Sequence, residues 1–190
     1  MPPKPKVSKE QVVDAAAQIV KESGMAGLTA KSLAAALHCS TQPIFWHFEG
    51  MDAVRDAVAQ RALERFDEYL RAKAENVSAY KAIGINYIRF AAEEREFFRL
   101  LFMSEHTEKD ILKTHTEMPY VLKVLEEEEN ITGALAQDIY EEMWLFSHGV
   151  ATMIATGTAK FTQERIEEML TAVYRGLINN QTQKKERRQE

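Results

Sequence analysis

Apolar residues recur at helical spacing along most of the chain, and this periodicity constrains the fold more than any other feature. The clearest case is a stripe near the end of the sequence, which contains Ile166, Met169, Leu170, Val173, Tyr174, Leu177 and Ile178. Residues three and four positions apart lie on one face of an α-helix. No segment has the alternating pattern of a strand and hairpin. The sequence therefore predicts an all-α fold with about nine helices.

Composition narrows the class of protein further. The chain has 190 residues, a formal net charge of −5 and a single Cys. One Cys cannot form an internal disulfide framework. No apolar run approaches the ~18 residues of a membrane span, and no apolar segment follows the lysines near the start. We expect a cytoplasmic protein with no membrane partner.

Two short helices near the N-terminus are separated by only about three residues, which is the spacing of a helix-turn-helix. Ser8 and Gln11 form a capping-box pattern at the start of a first helix, predicted over residues 8–23. Thr29 is placed to cap a second helix, and Ser40 a third that runs to about Trp46. The spacing alone also fits an ordinary helical hairpin in a bundle.

The start of the third helix has side chains that suit a DNA major groove. Gln42 can pair with the edge of adenine, Thr41 offers a hydroxyl and a methyl group, and Pro43 can contact a thymine methyl. Recognition helices present such residues at their N-terminal end while the opposite side packs inward. Ile44, Phe45 and Phe48 fit the inward side.

The stretch VVDAAAQIVKESGMAGLTAKSLAAALHCSTQPIFWHFEGMDAVRDAV resembles the DNA-binding domain of TetR-family transcriptional repressors. The resemblance rests on the paired alanines at 15 and 16, Glu22-Ser23-Gly24, Gly27-Leu28-Thr29, Leu33-Ala34 and Ile44-Phe45-Trp46-His47-Phe48. It covers 47 consecutive residues. A weaker resemblance, to a TetR-type regulatory domain, rests on Trp144, His148 and Gly149.

The resemblance implies a symmetric homodimer that binds palindromic double-stranded DNA through a three-helix head and a small-molecule effector through its C-terminal domain. It divides the chain into a basic arm (1–8), a helix-turn-helix domain (9–50), a regulatory and dimerisation domain (51–180) and a polar tail (181–190). We expect a ligand-responsive repressor. The arm either reaches along DNA or serves as a solubilising tail.

Residue roles carried over from the family concern eight positions. Thr29 and Lys31 would meet phosphate or base at the start of the second helix. The other DNA-binding candidates surround the third helix and are Ser40, Thr41, Gln42, Pro43, Trp46 and His47. Two positions depart from the family pattern, because Phe45 replaces the usual Tyr and Met51 the usual Lys. Fewer phosphate contacts predict weaker, less salt-sensitive binding.

The C-terminal domain offers few buried charges, so we expect a largely apolar or aromatic effector. Candidate pocket residues are Tyr87, Phe90, Phe98, Phe102, Met118, Met143, Trp144 and His148. The alternative is that most of them fill the core, with His148 satisfied by a neighbouring carbonyl. Candidate dimer residues are Ile166, Met169, Leu170, Val173, Tyr174 and Leu177. The same stripe would also suit packing within one subunit.

Enzyme chemistry is poorly supported by the sequence. HExxH, P-loop, GxSxG and CxxC motifs do not occur, and the five histidines have no ligand spacing. We therefore expect no enzyme activity, no cofactor and no metal. Two other classes stay open, namely a helical ligand carrier and a protein-interaction module without DNA binding.

Overall fold

The computed structural model describes residues 7–103 and 117–186. Nine α-helices and no strand occur within those ranges, as the sequence predicts. The helices are α1 (Lys9–Gly27), α2 (Ala30–Ala36), α3 (Gln42–Phe45), α4 (Met51–Arg71), α5 (Ala79–Glu93), α6 (Arg95–Phe102), α7 (Met118–Glu129), α8 (Gly133–Ala155) and α9 (Gln163–Glu186). None of these described helices is long and apolar enough to cross a membrane.

Helix α1 begins as predicted but ends later. The Gln11 amide donates to Ser8 Oγ at 3.2 Å, and the Ser8 amide donates to Gln11 Oε1 at 2.8 Å, so the capping box is present. Gly24 does not end the helix. It adopts a non-helical φ of 66° inside it, and the chain continues helically to Gly27. A Cβ at Gly24 would stand 3.0 Å from the Glu96 carboxylate, so the kink faces a close neighbour.

Two other helix boundaries differ from expectation. Thr41 rather than Ser40 precedes α3, and its side chain makes no capping bond. The sequence also predicts a helical stretch over about residues 108–129 that Pro119 kinks or splits, and its part before residue 117 lies outside the described residues. Pro119 itself lies in the first turn of α7, where a proline loses no intrahelical bond. Helix α9 continues through residue 186, since the polar residues of the expected tail are good helix formers.

The chain divides into two compact units. The first comprises residues 1–66 and 94–106, and the second comprises residues 67–93 and 107–190. The predicted domain boundary fell at residue 50. The first unit extends beyond it because α4 up to Phe66 and the whole of α6 share the core of the N-terminal helices.

The core of the first unit is built around α1, which packs against α2 and α6. Its fully buried side chains include Val12, Val20, Leu33, Ile44, Val58, Phe97 and Phe98. Glu94 also lies in this core, with 8% of its surface exposed. Its carboxylate accepts from Lys21 Nζ at 2.9 Å and from Arg65 Nε at 3.0 Å. This carboxylate therefore joins α1 and α4 to the start of α6.

The second unit is organised around α5, which packs against α7, α8 and α9. Nine of its residues are buried, including Tyr87, Ile88 and Phe90. Gly84 allows α9 to come close, because a Cβ there would stand 3.1 Å from Leu170 Cδ2. Buried residues on three sides of α5 explain why it is more uniformly apolar than a helix with one solvated face.

Candidate nucleic-acid interface and ligand cavity

The turn between α2 and α3 is closed by a left-handed residue. His38 has a φ of 51°. The His38 amide donates to the Ala35 carbonyl at 3.1 Å and the Cys39 amide to the Ala34 carbonyl at 3.0 Å, which is a Schellman arrangement. The turn satisfies the last carbonyls of α2 and starts α3 a few residues later. The connection is short, as predicted, but it comprises the five residues 37–41 rather than about three.

Helix α3 has one buried side and one exposed side. Ile44 is fully buried, whereas Trp46 keeps 65% of its surface exposed. Ser40, Thr41, Gln42 and His47 are exposed and Pro43 is half-buried. This is the division that a groove-reading helix requires.

At the start of α2, Thr29 and Lys31 are also exposed. The Ser32 amide donates to Thr29 Oγ1 at 3.1 Å, and the Thr29 amide donates to Ser32 Oγ at 2.9 Å. The Thr29 hydroxyl therefore caps α2, as predicted. Lys31, one residue into that helix, is the positive charge that this end of α2 presents.

His47 makes a contact that the sequence did not predict. Its Nε2 lies 2.8 Å from the carbonyl oxygen of Val7, so the Nε2–H tautomer donates to that oxygen. Val7 is the first described residue and lies near the end of the basic arm (1–8). His47 therefore ties the end of the arm to the head. No periodicity or motif would have identified a partner forty residues away.

The two departures from the family pattern lie at accessible positions. Phe45 is 41% exposed, so the prediction that it packs inward is wrong, because Ile44 occupies the inward side and neighbouring residues of a helix point in different directions. A Tyr hydroxyl there would have reached solvent. Met51 is half-buried at the first residue of α4. Neither side chain has a hydrogen-bond donor for a phosphate group. Fewer contacts with the DNA backbone therefore stay a prediction.

The second unit contains a cavity of about 250 Å³ that opens partly to solvent. Helices α5, α7, α8 and α9 supply most of its wall, and the last turn of α4 supplies Leu70. The wall is mainly apolar and aromatic. The aromatic residues are Tyr80, Tyr87, Tyr140, Trp144 and Tyr174. Such a wall suits a small apolar or aromatic molecule.

One buried carboxyl group interrupts this wall, and a second, half-buried one belongs to Glu129. Glu117 lies immediately before α7 and is only 5% exposed. Tyr140 Oη donates to Glu117 Oε1 at 3.1 Å. Burial raises the pKa of Glu117 to about 7, although the Tyr140 hydroxyl works against the shift. Burial and the neighbouring Glu117 also raise the pKa of Tyr140.

Three of the eight candidate pocket residues line this cavity, namely Tyr87, Met143 and Trp144. His148 does not. Its Nδ1 lies 3.0 Å from Tyr87 Oη, and its ring stacks on Trp144 with centroids 5.2 Å apart. The Tyr87 hydroxyl is thus one polar partner of His148.

Four candidates lie elsewhere. Phe90 is buried against Tyr69, with ring centroids 5.3 Å apart. Met118 is half-buried and is not among the lining residues. Phe98 and Phe102 belong to the first unit, where their ring centroids are 5.0 Å apart. An aromatic cluster has the same sequence pattern in either unit, so the pattern could not assign α6.

The stripe on α9 has two edges. Leu170 is 2% exposed and lines the cavity, so it is not available for a dimer interface, whereas Tyr174 lines the cavity and is half-exposed. Ile166, Met169, Val173 and Leu177 are half-exposed. The stripe therefore serves packing within the chain along one edge and leaves the other accessible.

Helix α8 also presents apolar residues to solvent. Leu145 is 61% exposed and Met153 is 41% exposed, one turn either side of Gly149. Among the described residues, a Cβ at Gly149 would meet nothing within 4 Å.

An all-α chain whose helix-turn-helix exposes polar residues, with a second helical unit, has the architecture of TetR-like transcriptional regulators. No family model matches the chain. It is 24% identical to the HTH-type transcriptional regulator YobS of Bacillus subtilis over 176 residues, 91% of this chain and 90% of that protein. It is 34% identical to the class D tetracycline repressor protein of Escherichia coli over 64 residues, 34% of this chain and 29% of the repressor.

Solved structures share the fold over nearly the full length. A protein of unknown function from Rhodococcus sp. RHA1 has a TM-score of 0.74 at 21% identity, covering 93% of this chain and 98% of that one. A TetR-like transcriptional regulator from the same organism has a TM-score of 0.63 at 18% identity, covering 93% of this chain and 99% of that one. The resemblance to TetR-family regulators is thus confirmed, since YobS, the tetracycline repressor and the second Rhodococcus protein are described as transcriptional regulators or repressors.

Proposed function

We propose that the chain is a homodimeric repressor that a small, largely apolar or aromatic effector releases from a palindromic operator. The observation that carries the proposal is the exposed polar start of α3, where Thr41 and Gln42 face solvent while Ile44 is fully buried. A bundle hairpin has no need to expose a tryptophan as Trp46 is exposed.

The DNA contacts follow from that arrangement. Thr41, Gln42 and Pro43 read base edges in the major groove, and Trp46 and His47 lie along the sugar-phosphate backbone. Thr29 and Lys31 add contacts from α2. Two heads related by a two-fold axis require half-sites about 34–36 Å apart, or a multiple of that distance.

A second copy of the chain is the partner that the outer surface of α8 and α9 fits. Leu145 and Met153 on α8 are exposed, and Ile166, Met169 and Val173 on α9 are half-exposed. A two-fold interface uses the same patch on both subunits, so four apolar helix faces would be covered at once. Gly149 would allow the helices of the two subunits to approach closely.

The effector site is the cavity of the second unit. An effector that prefers one arrangement of the subunits over the other shifts the population toward it, and its differential affinity limits how completely DNA is released. An arrangement that changes the distance between the heads would no longer match both half-sites.

Selection of bound sequences from random duplex DNA tests this function. Purified protein should enrich a palindromic consensus whose two halves are one helical turn apart or a multiple of it. A ligand carrier or a protein-interaction module would enrich no sequence, and that result would exclude the repressor.

A further inference from the structure

We propose that His47 is a positioning residue that holds the basic arm against operator DNA, where Lys4 and Lys6 contact phosphates beside the bases that α3 reads. The inference rests on the proposed function and deepens it, because it assigns the flanking DNA to the arm. It starts from the contact that His47 makes with a residue forty positions earlier, in which Nε2 lies 2.8 Å from the Val7 carbonyl oxygen.

That contact determines what the His47 side chain can offer to DNA. A carbonyl oxygen only accepts hydrogen bonds, so Nε2 carries a proton and Nδ1 of a neutral ring is an acceptor. A phosphate oxygen is also an acceptor, so the neutral ring has no donor left for it. A neutral His47 therefore acts on DNA through the segment that it holds and not through a phosphate hydrogen bond of its own.

Further contacts fix the direction in which the chain enters α1. The capping box sets the first turn of that helix, and Lys9 Nζ lies 5.4 Å from the centroid of the Phe48 ring. His47 and Phe48 directly follow the end of α3, so that end and the start of α1 are held together. The base-reading residues are at the other end of α3, and Val7 therefore lies toward the sugar-phosphate backbone.

The arm has a composition that suits binding to phosphates. Lys4 and Lys6 are its charged residues, with no acidic residue among residues 1–8, and three of the first five residues are proline. Each proline has a fixed φ, so ordering such a segment on DNA costs less conformational entropy than ordering a flexible one. A chain spans at most about 3.3–3.6 Å per residue, which gives the Lys4 backbone a reach of roughly 11 Å from Val7.

The DNA-facing surface offers few other contacts to phosphate. Phe45 and Met51 have no hydrogen-bond donor in their side chains, and Lys31 is the positive charge at the start of α2. Lysines of the arm would add the backbone contacts that this surface supplies sparsely. A solubilising tail, in contrast, has no need of a side chain that fixes its attachment beside α3.

Lys4→Gln combined with Lys6→Gln tests whether the arm binds DNA. Affinity for the selected operator is measured by titration of labelled duplex at several salt concentrations. Each neutralised phosphate contributes about 0.9 to the slope of log K against log salt, so a dimer without these lysines should lose about 3–4 from the slope. Binding at low salt should weaken at least about tenfold. An unchanged slope would overturn the proposal.

The matched control for charge is Lys73→Gln combined with Lys123→Gln, at exposed positions of the second unit. This pair makes the same change in net charge as the arm variant but lies outside the DNA-binding head. It should leave the salt slope as it is in the parent. An equal loss of slope in both pairs would mean that total charge, and not the arm, sets the effect, and would overturn the proposal.

His47→Ala and His47→Gln test whether His47 positions the arm. Glutamine can place an amide donor near the position of Nε2 but has no charge, so it keeps the bond to Val7 and cannot act as a charged phosphate donor. The lysine changes should weaken binding about equally in the parent and in His47→Gln. They should weaken it at least about threefold less in His47→Ala. Equal effects in all three backgrounds, or a His47→Gln that behaves like His47→Ala, would overturn the role of His47.

Lys31→Gln is the control for this coupling, since Lys31 lies on α2 and takes no part in the contact between His47 and Val7. Its effect on affinity should be the same in the parent and in His47→Ala, because independent sites add. The urea midpoint should not change in the His47 variants, since the side chain is exposed. A DNA selection that enriches no sequence contradicts the proposed function, whereas an operator that the parent binds with no contribution from the arm contradicts this inference alone.

Discussion

A buried carboxyl group lowers the stability of a fold whenever it is ionised, and Glu117 is such a group. Its pKa is about 7 in the folded protein against 4.5 for an unperturbed group. Between these values the folded chain holds a proton that the unfolded chain has lost. The contribution of protonated Glu117 to the free energy of unfolding is therefore complete below pH 4.5, and it is lost as pH rises through 7.

Glu117→Gln should remove this pH-dependence. Relative to the parent, the variant should gain about 3 kcal/mol in the free energy of unfolding between pH 4.5 and pH 8, at about 1.4 kcal/mol per pKa unit. Urea denaturation across that range measures the difference, with Glu126→Gln as control. Parallel curves for the parent and Glu117→Gln would show that the carboxyl titrates normally.

Gln42 is the residue whose loss should separate DNA reading from folding. Gln42→Ala should weaken binding to the selected operator by roughly 1–3 kcal/mol, because a paired base edge loses its partner, and should leave the unfolding free energy within about 0.5 kcal/mol. Titration of labelled duplex measures the affinity. Gln60→Ala, an exposed glutamine on α4, should change neither quantity. If Gln42→Ala unfolds the head instead, the residue is structural.

At the scale of the helix, the position of α6 depends on Glu94. Lys21 and Arg65 are 37% and 43% exposed and stay solvated without it, so Glu94→Ala should cost only about 1–2 kcal/mol. Urea denaturation again provides the measurement, and Glu49→Ala, at an exposed position, is the comparison. A cost indistinguishable from that of Glu49→Ala would mean that these ion pairs do not hold the helix.

Helix starts were the best predicted elements, since their signals are local. Ser8 with Gln11 and Thr29 with Ser32 satisfy amides three residues away, and such bonds can be read from spacing. Helix ends were less predictable. Gly24 looks the same in sequence whether it ends a helix or kinks one, and the difference depends on α6 packing against α1.

The site was predictable where exposure followed from helical phase and not where it followed from long-range packing. The exposed positions of α3 are confirmed because Ile44 fixes the phase of the helix. The sequence missed Glu117, since no local pattern marks one glutamate among 29 acidic residues as buried. It also placed Phe98 and Phe102 in the pocket, because aromatic clustering does not tell which core a helix joins.

At the scale of the whole molecule, the outer faces of α8 and α9 determine whether two heads act together. Leu145→Glu should shift the protein from dimer to monomer, since it places a charge in the centre of the proposed apolar interface. Sedimentation over a range of concentrations measures the shift. Met103→Glu, at an exposed apolar position of the first unit, should leave the dimer intact. A dimer unaffected by Leu145→Glu would place the interface elsewhere.

The central claim is that two heads related by a two-fold axis read the two halves of one operator, and operator spacing tests it most directly. Affinity is measured for the selected palindrome and for the same palindrome lengthened at its centre by about five base pairs, half a helical turn. The insertion rotates one half-site to the opposite face of the duplex, so binding should fall to the level of unrelated DNA. Equal affinity for both duplexes would show that each head binds alone and would contradict the account.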